Sequence, residues 1–374
     1  MQTDKSVERP LHSLRVIEFE GIGPGPLAGR MLSDLGAHVI VVVRPTPSAV
    51  DRTLIGENTE NPLRQGKEII VLDLKTAKGV SAALDLVADA DALIEGNRPG
   101  VMERLGLGPA ECAVRNARLV YGRMTGWGQS GPLAQAAGHD LNYIALTGLL
   151  SLSARSGTAP IVPPTVLGDA AGALGLCFGV VSAVLDARIS GRGRVVDAAI
   201  VDVVAMLGTI LQGIRANGQI DGPRPSPFYD SPFYDAYVCA DGRFITIGAL
   251  EPQFYSLLLK KLQLDDVDPA AQYDRSQWPS LKTRLSQLFA SYPSDHWCRL
   301  LEGSDVCFGP VLSIEEAIDH LHNRSRGLYQ RTTSGLVRTE ERPDFCRLRR
   351  NNALPRRNTC DAWQLLSPKI RWLI

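Results

Sequence analysis

The chain has 374 residues, with 40 Lys and Arg against 40 Asp and Glu, so its formal charge at neutral pH is zero. That balance removes any composition argument for nucleic acid or a membrane surface, and an anionic ligand must be held by particular arginines. The seven cysteines are odd in number and form no C-x-x-C pair, which suggests neither a disulfide framework nor a zinc site and fits a reducing cytoplasm.

The length is enough for two domains. Over residues 11–125 the apolar runs "RVIEF", "HVIVVV", "EIIVLDL", "DALIEG" and "RLVYGRM" alternate with helical patterns, among them "PLAGRMLSDLGA" and "GVSAALDLVADA". That rhythm predicts a parallel sheet with helices on both faces. From 139 to 215 the pattern is helical, with glycine-rich breaks at 154–158 and 191–194, and "IVDVVAMLGTILQGIRANG" predicts one long helix. The Pro-rich "DGPRPSPFYDSPFYD" marks a boundary, and "AYVCADGRFITIGAL" predicts a hairpin turning at Asp241 and Gly242. Amphipathic helices follow to about residue 325, and residues 330–374 are basic and irregular. The longest apolar run, "AAGALGLCFGVVSAVL", is too short to span a bilayer and predicts a buried helix. The first residues hold no apolar core for a signal peptide, and the closing "IRWLI" matches no peroxisomal address, so the expected setting is cytoplasmic.

Between the first two apolar runs lies "GIGPGPLAGR", whose Gly23, Gly25 and Ala28 satisfy G-x-G-x-x-G/A. Strand, glycine loop, helix and strand outline a dinucleotide-binding βαβ unit. Two details speak against NAD. Pro24 and Pro26 remove two backbone N–H groups from a loop that would cradle a pyrophosphate, and the second strand ends at Arg44 where an NAD enzyme offers a carboxylate. The loop reads as a close-packing turn beside some other phosphate-bearing ligand.

Two stretches carry candidate chemistry. "AAGHDLNYIALTGLL" places His139 and Asp140 at the start of a helix, and "TVLGDAAGALGL" does the same for Asp169. Helix N-termini present unpaired N–H groups and partial positive charge, so two such ends meeting at one pocket would favour a developing enolate oxygen. Histidine exchanges protons near neutrality, whereas an aspartate is a weak base unless burial raises its pKa. Asp169 behind a glycine is equally what a plain N-cap looks like, and His139 what a half-buried structural histidine looks like. Sequence spacing does not show that the two side chains meet, so these residues alone describe an α/β enzyme or ligand-binding protein with a candidate His/Asp pair.

The same stretches, with "EGNRPGVMERLGLGP", "GRMTGWGQSGPLAQAAGHDLNY", "GRGRVVDAAIVD" and "ADGRFITIGALEPQFY", resemble the family III CoA-transferase superfamily, and within it the racemase branch. The resemblance covers residues 14 to about 325. It implies an interlocked homodimer whose large Rossmann-like domain has a parallel sheet and whose smaller domain is α+β. The active site lies between the large domain of one chain and the small domain of the other. The corresponding division here is a large domain over 1–205, a linker over 206–230 and a small domain over 231–329, with 330–374 returning to the large domain.

By the same resemblance the loop serves coenzyme A, carried as part of the substrate, and no separate cofactor and no metal is needed. Arg44, Lys75, Arg98 and Arg104 are the matching candidates for its phosphates, and Leu72 and Leu74 would flank the nucleotide or pantetheine. The racemases move a proton between the faces of a 2-methylacyl-CoA thioester through an enolate, with a histidine and an aspartate as the two bases. His139 and Asp169 match those positions, and Glu251 matches the carboxylate that pairs with the histidine from the partner chain. The backbone N–H of Asp140 is implied as a donor to the thioester oxygen, and Tyr143 as a wall of the acyl pocket. The transferases use the equivalent of Asp169 as a nucleophile and generally lack the histidine; a CoA-binding protein without catalysis is the third alternative. The tail "PDFCRLRRNNALPRRNTCDAW" departs from the family's pattern, which bears on its docking more than on the chemistry.

Overall fold

The computed structural model describes residues 9–46, 61–155, 157–163, 165–220, 224–331 and 337–339. The five apolar runs become parallel strands: β1 (Arg15–Phe19), β2 (His38–Val43), β3 (Glu68–Val71), β4 (Ala92–Glu95) and β5 (Val120–Thr125). A sixth, β6 (Val195–Ala199), which the run pattern did not single out, joins them in the order β3-β2-β1-β4-β5-β6. This is a doubly wound sheet whose order reverses between β1 and β4, and such sheets bind ligands beyond the strand C-termini at that point. The chain leaving β1 is the glycine loop, and the chain leaving β4 carries Arg98.

Helices cover both faces: α1 (Pro24–Asp34), α2 (Ala77–Ala88), α3 (Val101–Arg104), α4 (Pro109–Arg115), α5 (Asp140–Leu146) and α6 (Asp169–Ser190). Alternate strand residues feed two separate cores, as a period of two requires. Val16, Val39 and Ile94 pack with Ala28, Leu32, Leu176 and Val180 on one side. Ile17, Ile40 and Leu93 pack with Met102, Leu107 and Cys112 on the other. Burial on both faces is why β1, β2, β4 and β5 read as continuous apolar runs, whereas β3, at the sheet edge, is apolar but largely exposed.

Two helical expectations are corrected. The apolar run belongs to a helix of 22 residues, Asp169–Ser190, which is long and apolar enough by length and composition to cross a membrane. Nor is it buried all round. Ala173, Leu176, Val180, Val184 and Ala187 face the sheet, while Leu174, Leu185 and Ile189 are exposed and Phe178 is 76% exposed. Its glycines let neighbours approach, because a Cβ on Gly175 would fall 2.5 Å from the Val203 side chain. The predicted long helix is two, α7 (Ile200–Leu207) and α8 (Thr209–Ala216), broken at Gly208, where glycine is a poor helix former and Leu149 occupies the space a side chain would need.

The predicted hairpin forms from β7 (Tyr234–Val238) and β8 (Phe244–Gly248), with Gly242 at φ +75° in the turn. Helices α9 (Pro252–Lys261), α10 (Trp278–Phe289) and α11 (Ser294–Leu301) pack on it, and β9 (Phe308–Pro310) adds a third antiparallel strand. Phe233, Tyr237, Tyr255, Trp278, Phe289 and Trp297 fill a third core, mostly edge to face. The expected return of 330–374 falls almost entirely outside the described residues.

Candidate active site

The glycine loop is shorter than its sequence suggests. Helix α1 starts at Pro24, with Gly23 as its N-cap at φ +68°, so Pro24 and Pro26 belong to the first turn. There a missing N–H costs nothing, because the first amides of a helix have no intrahelical acceptor. The loop meets Asp169: a Cβ built on Gly23 would lie 3.3 Å from Asp169 Oδ2.

A buried ion pair supports the loop from beneath. Lys67 Nζ donates to Glu18 Oε2 at 2.6 Å and to the carbonyl oxygen of Pro26 at 2.8 Å, and neither charged side chain reaches solvent. Burial pushes the Glu18 carboxyl up to about 7, against the opposing pull of Lys67. Gly29 makes the room, since a Cβ there would overlap Glu18 Oε2. The sequence signal for this pair is a single glutamate inside the apolar "RVIEF".

Asp169 is the first residue of α6, whose N-cap is Gly168, and its side chain makes no capping bond. The plain N-cap reading is therefore corrected. The cap comes from another helix: Asp140 Oδ2 accepts from the backbone N–H of Gly168 at 2.8 Å and of Asp169 at 2.7 Å. One of the two helix ends proposed for an enolate is thus already filled by a carboxylate. Asp140 itself is 6% exposed. Burial, and after it the charge of Asp140, raise the Asp169 carboxyl to about 6, while His139 acts in the opposite direction.

His139 is the N-cap of α5, its backbone N–H donating to Asn142 Oδ1 at 3.0 Å and its side chain exposed. Tyr143, one turn further on, donates its hydroxyl to the carbonyl of Gly138 and stands edge-on to Trp127 with centroids 4.7 Å apart. Burial and the charge of Asp169 push its phenol up, and Arg98 opposes them. Gly126 is required here, because a Cβ would fall 1.9 Å from Tyr143 Cζ. His139, Asp140, Tyr143 and Asp169 thus form one electrostatic group, with Arg98 at its edge.

The other candidates are spread along the strand C-termini. Arg44 donates to Glu20 Oε2 at 3.1 Å, and Arg64 holds the other oxygen of the same carboxylate at 2.7 Å, so Arg44 is a paired cation. Leu72 and Leu74 are half-buried against the core beneath α2, and Lys75, Arg98 and Arg104 are exposed. Glu251 is the exposed N-cap of α9, the helix that packs on the β7–β8 hairpin, with its charge acting on Tyr273 and Cys307. The ionisable groups that act on Asp169 are Asp140 and His139. Among the described residues no cluster of three or more His, Cys, Asp or Glu side chains could hold a metal ion.

The family model described as CoA-transferase family III matches residues 11–357. The chain belongs to CoA-transferase family III. Family members similar to it include alpha-methylacyl-CoA racemase of Mus musculus, 41% identical over 322 residues, which are 85% of this chain and 82% of that protein. The human racemase is 39% identical over the same shares. Among solved structures, Rv3272 from Mycobacterium tuberculosis superimposes with a TM-score of 0.73 at 28% identity, over 89% of this chain and 92% of that one. The family III fold is also that of a CAIB/BAIF family protein from Brucella suis, with a TM-score of 0.74 at 23% identity over 88% and 91% of the two chains.

Proposed function

We propose that this family III enzyme interconverts (2R)- and (2S)-2-methylacyl-CoA thioesters by two-base 1,1-proton transfer through an enolate. The observation that carries the reading is the joining of the two helix starts: Asp140, next in the chain to His139, accepts from the backbone N–H of Asp169. His139 and Asp169 thus share one group, in which burial and Asp140 raise the Asp169 carboxyl to about 6. A carboxylate of ordinary pKa is a poor base toward carbon; one raised by burial and a like charge is a stronger base and is still ionised at neutral pH. The thioester carbonyl acidifies the α-hydrogen. One of the two groups takes that hydrogen and the other returns a proton to the opposite face of the planar enolate. With the first amides of α6 occupied by Asp140, the thioester oxygen falls to the backbone N–H of Asp140 itself. Tyr143 would line the acyl pocket.

CoA would lie along the strand C-termini. Arg44, Lys75, Arg98 and Arg104 would meet its phosphates, and Leu72 and Leu74 its nucleotide or pantetheine. No dissociable cofactor takes part. Glu251 of a second copy would pair with His139 and fix its tautomer, in a homodimer built from the large and small domains of opposite chains. The exposed apolar face of α6 supports that assembly. The setting is cytoplasmic.

A second reading, CoA transfer with Asp169 as nucleophile, is favoured by one observation: the unhindered glycine at position 23 beside the carboxylate. The discriminating experiment incubates purified protein with (2R)-2-methyldecanoyl-CoA in D₂O without acceptor acid and follows deuterium at C2 together with the R/S ratio. Exchange with inversion is expected, lost in His139→Ala and in Asp169→Ala. CoA passed to an added carboxylic acid without any exchange would replace the racemase reading by the transferase one.

A further inference from the structure

The side chain of Asp140 does something that its backbone role does not require. Two of the amides at the start of α6, those of Gly168 and Asp169, converge on the single oxygen Oδ2 at 2.8 and 2.7 Å. The approach depends on glycine, for a Cβ on Gly168 would sit 2.6 Å from that oxygen. An uncapped helix of this length carries roughly half a positive charge at its N-terminus, which would stabilise the ionised form of a carboxylate on its first residue and weaken it as a base. A second carboxylate seated on those amides cancels that field and adds repulsion of its own.

We propose that the side chain of Asp140 is a positioning residue for Asp169, fixing the first turn of α6 and keeping the Asp169 carboxylate basic; the proposal rests on the reading of Asp169 as a proton carrier. The groups that face Asp169 are few. From α5 come His139, which stabilises its anion, and Asp140 and Tyr143. From the glycine loop comes Gly23, which carries no charge. Arg98, beyond β4, acts on Tyr143. Asp140 is the charge among them that raises Asp169, so removing it leaves burial alone to do so.

The variant Asp140→Asn keeps an amide oxygen where Oδ2 lies and removes the charge. Asp169 is followed directly in the substrate-free protein by ¹³C NMR of labelled aspartate carboxyls, its resonance assigned by its loss in Asp169→Asn. The wild-type midpoint is expected near 6. In Asp140→Asn it falls by about one unit. The acidic limb of α-proton exchange moves with it, and kcat drops about tenfold while KM for the thioester changes little. Gly168→Ala, which forces the carboxylate off the amides without deleting it, is the second variant and shifts the same midpoint if the first fails to fold. An Asp169 midpoint unmoved in a folded variant overturns the proposal. A wild-type protein that exchanges no α-proton, but whose Asp169 midpoint still moves, removes the racemase reading and leaves the coupling standing.

Discussion

Gly23 and Asp169, 146 positions apart in the chain, lie so close that a methyl group on the first would stand 3.3 Å from a carboxylate oxygen of the second. Gly23 is also at φ +68° and ψ −122°, a combination that side chains resist. Gly23→Ala is therefore expected to lower the unfolding free energy by about 1–3 kcal/mol. It should also slow α-proton exchange more than it weakens acyl-CoA binding. Denaturant titration and exchange kinetics on the same preparation check both; unchanged exchange in a folded variant would separate the loop from the chemistry.

The raised Asp169 carboxyl makes a signed prediction. Its folded value, about 6, lies above its ordinary value of 3.8, so between the two the folded state holds a proton that the unfolded chain has released. The stability this supplies is complete below about 4 and is lost as pH rises through 6. Asp169→Asn should then be more stable than wild type at pH 8, by on the order of 1 kcal/mol after solvent screening, with the difference vanishing near pH 4. Proton exchange runs the other way, falling about tenfold per unit below pH 6, where the base is protonated.

Lys67 and Glu18 are a buried pair whose loss should be asymmetric. Lys67→Met leaves Glu18 without its partner and takes a donor from the carbonyl of Pro26. A cost of about 3–5 kcal/mol is expected at pH 8, easing in acid as Glu18, already at about 7, takes up a proton. The double variant Lys67→Met with Glu18→Gln should recover most of that loss. Thermal unfolding across pH measures all three; equal costs for the single and double variants would show that the charge is not the cause.

The outward face of α6 carries Phe178, 76% exposed, with Leu174, Leu185 and Ile189. Phe178→Glu places a charge in the middle of that stripe. If the face covers itself in a homodimer, sedimentation should show a shift to monomer at micromolar concentration, with exchange activity falling in parallel. A monomeric wild type would assign the stripe to another occupant.

The sheet was legible in "RVIEF", "HVIVVV" and "RLVYGRM" because parallel strands buried on both faces leave unbroken apolar runs. Strand β6 was not, since Asp197 interrupts it and Val195 lies exposed. His139 and Asp169 could be named as candidates from their glycine-led helix starts, and the motif around them carried the family. What neighbouring residues encode is local: strand or helix, turn or cap. Only the tertiary structure decided that the cap of α6 is Asp140 and not Asp169, that Gly23 backs the carboxylate, and that Arg44 is held by Glu20. Those relations join residues 24 to 146 positions apart, and a contact between them exists only once the sheet has brought its strand ends together.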